Sequence, residues 1–277
     1  MKRPNDLKLS VKEHWERETC GTRYGDALDR REFFREISET RYRLEPFIPT
    51  FADFPSAAGK NILEIGVGAG ADFSQWCQYA AKAEGVDLTE AAIALTNERL
   101  ELLNTPTDRF HLQVADAEAL PFPEDSFDIV YSWGVLHHTP DTETAFRDAY
   151  RVLAPGGELR CMIYHVRSWT AWMLAGRRAV RSRSLRMFSP RQAVFEDLES
   201  PGTKAYTVDE ARDLVNRVGF SDFTISTRLG PGDLLTIRPS ERYSGRGYRW
   251  VWKLYPRLFI RACGGRFGMN MMITATK

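Results

Sequence analysis

The spacing of apolar residues in the middle of the chain predicts alternating strands and helices. Residues 61–67 (NILEIGV) form a short apolar run interrupted by glycine, which is typical of a buried parallel strand that leads into a turn. The apolar residues that follow recur at helical spacing and share one face: Phe73, Trp76, Cys77 and Ala80. This strand and helix predict one βα unit of a parallel sheet.

Similar units follow along the chain. Further strand candidates end at Asp87 or cover residues 110–116, 127–133, 158–164, 221–229 and 269–276. Thr207 and Glu210 have the spacing of a capping box, so a helix is expected to begin there, and an earlier helix is expected to stop at residues 155–157 (PGG). Repeated βα units with right-handed crossovers predict an α/β fold with a doubly wound, mainly parallel sheet of seven strands.

The first 60 residues precede this sheet and have a different pattern. Aromatic and aliphatic residues recur among charged ones in a way that suggests helices: Trp15, Phe33, Phe34, Ile37 and Tyr42. We therefore expect residues 1–60 to form a helical cap or lid. The sheet domain would span 61–277, with insertions at about 166–205 and 240–267.

Composition agrees with a folded globular protein. The 277 residues are 43% hydrophobic and 27% charged, with a net charge of +1, which argues against disorder and low-complexity tracts. The four cysteines show no C-x-x-C spacing, so neither a disulfide framework nor a metal site is expected. No apolar h-region follows the N-terminus and no apolar stretch of about 18 residues occurs, so we expect a cytoplasmic protein.

The near-zero net charge conceals two basic segments. Residues 167–191 contain seven Arg and no acid, and residues 242–267 contain six Arg and Lys253, again with no acid. Aromatic residues such as Trp172 and Trp252 are interleaved with them. This pattern indicates contact with a membrane surface or an anionic or lipophilic ligand, and nucleic acid is less favoured. The alternative is a pair of solvated insertions packed against an acidic body.

A glycine-rich turn and a later carboxylate predict a nucleotide-like ligand. The turn contains Gly66, Gly68 and Gly70 directly after the first strand, and ligands of such sheets bind beyond the carboxyl ends of the strands. Asp87, 21 residues after Gly66, lies where a carboxylate accepts hydrogen bonds from ribose hydroxyls. The turn also fits the glycine pattern of nicotinamide-binding proteins. These features therefore predict an adenosine-containing ligand without deciding which, and a purely structural turn is the alternative.

Motifs farther along the chain carry a family resemblance. Residues 115–130 (ADAEALPFPEDSFDIV), residues 136–138 (LHH) and residues 151–157 (RVLAPGG) occur in order after the glycine turn. Together they resemble class I S-adenosylmethionine-dependent methyltransferases, in particular the branch that includes ubiquinone and menaquinone C-methyltransferases. The resemblance covers about residues 60–165. It implies a Rossmann-like methyltransferase fold, S-adenosylmethionine as cofactor, and O-, C- or S-methylation of a small-molecule acceptor.

The resemblance also implies roles for residues of the first two strands. The turn from Glu64 to Gly70 would surround the methionine part of the cofactor, with Glu64 organising hydrogen bonds behind it. Asp87 would bind the ribose hydroxyls, and Leu88 would lie against the adenine.

Residues of the third and fourth strands would complete the cofactor site. Asp116 would accept the adenine amino group while Ala117 offers its backbone N–H. Ser132 and Trp133 would border the sulfonium. For each of these residues a structural role, such as helix capping or core packing, is the alternative.

The histidine pair after the fourth strand is the candidate for catalysis. Methyl transfer is an in-line displacement in which alignment supplies most of the rate enhancement, so a base is needed only when the acceptor loses a proton. His137 or His138 would be that base, or the pair would only shape its loop. Tyr164 and His165, at the end of the fifth strand, are candidates for acceptor contact, although Tyr164 would equally suit a buried core position.

The N-terminal segment contains a candidate lid. Gly21 and Gly25 flank Arg23 and Tyr24 in an otherwise helical, charged region, which suggests a mobile loop that brings polar groups to the ligand. Arg23 would pair with the cofactor's carboxylate, and Tyr24 would lie over the sulfonium. The alternative is a simple turn between two helices.

Two other functions remain possible on the sequence. A nicotinamide-dependent reductase would use the same kind of sheet, but no tyrosine is followed four residues later by lysine. A non-catalytic, membrane-associated cofactor-binding protein is supported only by the basic aromatic segments.

Overall fold

The computed structural model describes residues 4–198, 200, 202–236 and 254–277. The described helices of four or more residues, apart from short 3₁₀ turns, are α1 (Pro4–Arg17), α2 (Arg30–Leu44), α3 (Ile48–Ala52), α4 (Ala71–Tyr79), α5 (Glu90–Leu102), α6 (Thr142–Val152), α7 (Trp169–Ser182), α8 (Pro190–Asp197), α9 (Val208–Val218), α10 (Pro231–Leu234) and α11 (Arg257–Ala262). The described strands are β1 (Asn61–Ile65), β2 (Lys82–Asp87), β3 (Phe110–Val114), β4 (Phe127–Trp133), β5 (Leu153–Tyr164), β6 (Phe223–Arg228) and β7 (Asn270–Thr276).

All seven strands belong to one sheet with the order β3-β2-β1-β4-β5-β7-β6. Strands β1 to β5 are parallel, whereas β7 runs antiparallel to both β5 and β6. The predicted seven-stranded, mainly parallel α/β fold is confirmed. The strand order reverses between β1 and β4, and such a switch point opens a crevice for ligands at the carboxyl ends of the strands.

The core lies on both faces of the sheet because successive strand residues point to opposite sides. Ile62 and Ile129 pack on the face that holds α4, whereas their neighbours Leu63 and Val130 pack on the face that holds α6 and α9. All four side chains are fully buried. This double-sided burial explains why the central strands are almost continuously apolar in sequence.

The helices before β1 pack against the start of α4. Arg41 of α2 forms an ion pair with Asp72, with 2.9 Å between Arg41 Nε and Asp72 Oδ1, and the Tyr42 hydroxyl also reaches that carboxylate. The side chains of Arg41 and Asp72 are 15% and 2% exposed, respectively. Residues 4–57 are thus largely helical, as expected. Their definition as a separate cap or lid stays a prediction.

The insertion predicted after β5 contains α7 and α8. Of the insertion predicted at about 240–267, only residues 254–267 are described, and they include α11; the rest lies outside the described residues. The expected capping box at Thr207 and Glu210 is present at the start of α9. Within the described part of the chain, no helix is long and apolar enough to cross a membrane.

One boundary differs from the expectation. The Pro155-Gly156-Gly157 segment lies inside β5, which begins at Leu153, and not in a loop before the strand. Two partners account for this. Leu153 pairs with Phe127 of β4, and Gly156 N–H donates to the Lys277 carbonyl while Lys277 N–H donates to the Gly157 carbonyl, at 3.1 and 3.0 Å. A contact across more than a hundred residues is not visible in local sequence patterns.

Candidate active site

A cavity of about 350 Å³ lies at the carboxyl ends of the parallel strands. Its floor comes from the strand ends and the turns that follow them: Gly66, Gly68, Asp87, Leu88, Asp116, Ala117, Trp133, Tyr164 and Asn270. Its roof comes from the N-terminal region and includes Lys8, Trp15, Tyr24 and Glu45. The fold therefore brings together residues that are distant in sequence at the switch point of the sheet.

The glycine turn after β1 requires its glycines for conformational and packing reasons. Gly66 and Gly68 have φ values of 86° and 52°, in the left-handed region that favours glycine. A Cβ on Gly66 would overlap the Val135 side chain. Gly66 and Gly68 both line the cavity, whereas Gly70 lies outside the lining, caps α4 and packs against Thr96.

Asp87 and Leu88 line the cavity beside this turn. The Asp87 carboxylate accepts hydrogen bonds from Gly68 N–H at 3.1 Å and from the Thr89 N–H and hydroxyl at 3.0 and 2.8 Å. Burial raises the pKa of Asp87, and the hydrogen bonds from Thr89 and Gly68 oppose that increase. Asp87 thus links the end of β2 to the glycine turn and presents a buried carboxylate at the cavity.

Asp116 lies on the neighbouring side of the cavity after β3, next to Ala117. One Asp116 oxygen is 2.5 Å from Lys8 Nζ and the other accepts from Glu118 N–H at 2.9 Å. Lys8 also binds Glu118 at 2.5 Å. Burial alone would lower the pKa of Lys8, but the hydrogen bonds to Asp116 and Glu118 raise it above its ordinary value. The sequence analysis missed Lys8 and Glu118, because no local pattern links α1 to the loop after β3.

Glu64 lies at the cavity, where its side chain is only 3% exposed. Its Oε2 is buried and has no hydrogen-bond partner among the described residues. Burial and the nearby Asp72 raise the pKa of Glu64 well above its usual range, although Arg41 opposes the increase. A buried carboxyl oxygen without a partner is suited to a hydrogen bond with a ligand in the cavity.

Trp133 and Ser132 are separated by the alternation of side chains along β4. Trp133 lines the cavity and packs against Phe47 and Phe51, with ring centroids 5.9 and 5.8 Å apart. Ser132 is fully buried outside the cavity lining, and its hydroxyl donates to the Ile65 carbonyl at 3.0 Å. The structure does not bring Ser132 to the place expected for it beside the sulfonium.

Only one histidine of the pair reaches the cavity. His137 is fully buried outside the lining, 4.1 Å from Tyr164 between ring centroids, and neither of its ring nitrogens has a hydrogen-bond partner among the described residues. His138 lines the cavity, and its Nδ1 lies 2.8 Å from Ser200 Oγ. Burial, with a smaller effect of Lys204, lowers the pKa of His138 to about 3. His138 is therefore a neutral imidazole in this arrangement and a weak proton acceptor, so base catalysis by the pair stays a prediction.

The two candidates for acceptor contact, Tyr164 and His165, also differ in whether they reach the cavity. Tyr164 lines the cavity, whereas His165 lies outside the lining, 4% exposed, with Nδ1 3.2 Å from the Gly268 carbonyl oxygen. Neighbouring residues at the end of a strand face opposite sides. Of the two, only Tyr164 is positioned for the expected contact.

The proposed lid segment touches the glycine turn through its backbone. Ala69 N–H donates to the Cys20 carbonyl at 3.1 Å, and Tyr24 lines the cavity. Arg23 is exposed outside the lining and pairs with Glu18, with 2.7 Å between Arg23 Nη2 and Glu18 Oε2. The structure thus places Tyr24, but not Arg23, at the candidate cofactor site.

Residues 63–161 match the protein family described as "Methyltransferase domain". They form a class I S-adenosylmethionine-dependent methyltransferase domain. The resemblance to this family is confirmed over these residues.

Curated relatives of this methyltransferase domain include phosphoethanolamine N-methyltransferase 2 of Caenorhabditis elegans, 34% identical over 42% of this chain and 26% of that protein. Demethylmenaquinone methyltransferase of Tropheryma whipplei is 29% identical over 60% of this chain and 68% of that protein. The chain spans less than half the length of the first curated relatives it matches.

The methyltransferase fold extends over nearly the whole chain. The solved structure of geranyl diphosphate C-methyltransferase from Streptomyces coelicolor, in complex with Mg²⁺, geranyl diphosphate and S-adenosylhomocysteine, aligns with a TM-score of 0.62. The alignment covers 98% of this chain and 97% of that chain, at 17% identity.

Proposed function

We propose that this protein transfers a methyl group from S-adenosylmethionine to a small-molecule acceptor. The observation that carries the proposal is the single cavity in which the glycine turn, Asp87 and Asp116 meet an aromatic wall at Trp133. The family supports the same reaction. A nicotinamide-dependent reductase is not favoured, because the matched family consists of methyltransferases.

The donor set fits the proposed cofactor. Asp87 would accept the ribose hydroxyls, Leu88 and Ala117 would contact the adenine, and Asp116 would accept its amino group. Glu64 Oε2, buried without a hydrogen-bond partner among the described residues, would accept from the amino group of the methionine part. The glycine turn would admit the ligand close to the backbone, and the rings of Tyr24 and Trp133 would attract its positive charge.

The chain would act mainly by binding and alignment. When bound, S-adenosylmethionine supplies an electrophilic methyl group whose sulfur leaves as a neutral thioether, so no acid is required. Trp133, Tyr164 and the N-terminal roof would orient the acceptor and exclude water, and alignment is worth up to about 7–11 kcal/mol. For an acceptor that must lose a proton, His138 is the member of the histidine pair at the cavity.

Calorimetric titration with S-adenosylhomocysteine, S-adenosylmethionine and NAD tests this proposal. We expect heat from the first two and none from NAD. Asp87→Asn should weaken binding about 10-fold, since a hydrogen bond to a charged group contributes about 1.5–3 kcal/mol. Asp213→Asn, an exposed site on α9, is the matched control and should bind normally. The proposal is overturned if neither sulfur compound binds.

The basic aromatic segments support a second, finer proposal, namely contact with an anionic membrane surface. Leu254, Leu258 and Phe259 around α11 are 74%, 81% and 60% exposed, and Arg261 and Arg266 lie nearby. Sedimentation with phosphatidylserine vesicles should detect this contact at low salt and lose it at high salt. Equal sedimentation with neutral phosphatidylcholine vesicles would argue against it. The cytoplasmic location expected from the sequence is likewise a proposal.

A further inference from the structure

We propose that Glu45 and Asn270 form the polar anchor of the acceptor site, and that the acceptor is a neutral or cationic molecule with an apolar body. An O–H or N–H group of this acceptor would donate to Glu45. The inference rests on the proposed function, since it assigns the part of the cavity beyond the cofactor residues to the acceptor.

The two residues meet on the β7 side of the cavity, whereas Asp116 lies on the β3 side. Glu45 directly follows α2 and Asn270 begins β7, where it pairs in register with Tyr164 of β5. Both line the cavity, and they are 7% and 3% exposed. Asn270 Nδ2 donates to Glu45 Oε1 at 2.5 Å. A nearly buried carboxylate and amide therefore face the same space as Trp133 and Tyr164.

Surrounding contacts hold this pair in place. Glu45 N–H donates to the Arg41 carbonyl at 2.9 Å, which fixes the end of α2. A Cβ on Gly230 would lie 2.9 Å from Asn270 Oδ1, so the backbone at Gly230 approaches the amide closely. The fully buried Asp233 fixes that backbone, because it accepts hydrogen bonds from Gly230 N–H at 2.9 Å and from Met269 N–H at 2.7 Å. Preorganisation of this kind reduces the entropy lost when a ligand binds.

The charge of the cavity decides the class of acceptor. Its described lining contains five carboxylate side chains: Glu45, Glu64, Asp72, Asp87 and Asp116. The lysine and arginine side chains in the same described lining are Lys8 and Arg41, and each already pairs with an acid of the lining. Glu64, Asp87 and Asp116 are assigned to the cofactor, so a phosphate or carboxylate at the anchor would meet the like charge of Glu45, whereas a hydroxyl or ammonium group would meet a hydrogen-bond acceptor.

The walls between the anchor and the cofactor residues are apolar. Trp133, Met162, Tyr164 and Met269 line this part, and Leu198 closes it from the insertion after β5. Such walls suit a flat ring or an aliphatic body with one polar end. An acceptor held at Glu45 would thus span the space toward Trp133.

Three ring compounds that differ in one end group test the inference. 2-Phenylethanol carries a hydroxyl group, 2-phenylethylamine an ammonium group and phenylacetate a carboxylate, and none of them has a second polar group. Calorimetry on protein saturated with S-adenosylhomocysteine should detect 2-phenylethanol and 2-phenylethylamine, with the carboxylate at least about 10-fold weaker, a difference of about 1.4 kcal/mol. Glu45→Gln should bring 2-phenylethylamine and the carboxylate to within about threefold of each other. Glu39→Gln, on the exposed face of the same helix, is the matched control and should keep the full difference.

The outcomes separate this inference from the proposed function. Unchanged affinity of Glu45→Gln for S-adenosylhomocysteine shows that the variant is folded. The inference is overturned if the carboxylate probe binds as tightly as 2-phenylethylamine, if Glu45→Gln leaves the difference intact, or if none of the probes binds to cofactor-saturated protein. Failure of S-adenosylhomocysteine itself to bind would instead overturn the proposed function.

Discussion

At the scale of single residues, Gly66 is required by its backbone conformation and by a neighbouring side chain. Its φ of 86° is strained for other residues, and an added Cβ would overlap Val135. Gly66→Ala should therefore destabilise the protein by about 2–5 kcal/mol, the sum of a strained backbone and overpacking. Urea unfolding measures this change.

Gly176 provides the matched control for that substitution. It lies inside α7, and nothing lies within 4 Å of the Cβ that it would gain. Gly176→Ala should stabilise the protein by about 0.5–1 kcal/mol, because alanine has the higher helix propensity. A similar loss of stability at both sites would contradict the explanation given for Gly66.

His138 should make stability depend on pH. Its pKa is lowered from 6.5 to about 3 in the folded protein, so the unfolded chain binds the proton more readily between these values. Stability should therefore fall as the pH decreases below about 6.5, with a slope of up to about 1.4 kcal/mol per pH unit from this group. The pKa of His137 is also lowered by burial, so it acts in the same direction.

Urea unfolding at several pH values checks this prediction. His138→Asn should reduce the slope between pH 6 and pH 4, whatever its effect on stability at neutral pH. Parallel stability curves for the variant and the natural protein would show that His138 does not titrate as described.

At the scale of elements, Lys8 connects α1 to the loop after β3 through ion pairs with Asp116 and Glu118. The Lys8, Asp116 and Glu118 side chains are 30%, 29% and 13% exposed, so the cluster is partly shielded from solvent. We expect Lys8→Met to weaken the docking of α1 by about 1–2 kcal/mol, between the values for exposed and buried ion pairs. Hydrogen exchange of the α1 amides should then be about 10-fold faster.

Lys12→Met on the same helix is the control, because Lys12 lies outside the cavity lining. It should leave the exchange of α1 unchanged. Equal exchange in the Lys8 variant and the natural protein would mean that other contacts, such as the packing of the buried Val11, hold the helix.

Most elements were predictable because their signals are local. The capping box at Thr207 and the apolar run of β4 can each be recognised from a few consecutive residues of sequence. The start of β5 was not predictable, since Leu153 pairs with Phe127 of β4 and the Lys277 backbone forms hydrogen bonds with Gly156 and Gly157. Element boundaries thus depend on partners that arrive from elsewhere in the fold.

At the scale of the whole molecule, one cavity joins the residues proposed to bind the cofactor with those proposed to bind the acceptor, and the N-terminal helices cover both. The glycine turn and Asp87 were predictable because they follow successive strands whose carboxyl ends meet at one edge, and Asp116 was predicted through the family resemblance. Glu45 and Asn270 were not predictable, since 225 residues separate the two side chains that hydrogen bond. The roof likewise depends on the helices before β1, from which Tyr24 was predicted to reach the ligand but Lys8 and Glu45 were not.

The sequence by itself determined the class of fold, the succession of strands along the chain and the family resemblance, because apolar periodicity, caps and short motifs are local properties. Only the tertiary structure decided which member of each neighbouring pair faces the cavity: Trp133 and not Ser132, His138 and not His137, Tyr164 and not His165. The physical reason is that this choice depends on the direction of a strand end and on what packs against its other side. Contacts such as Lys8 with Asp116, 108 residues apart, arise in the same way, only once the sheet and its helical roof have assembled.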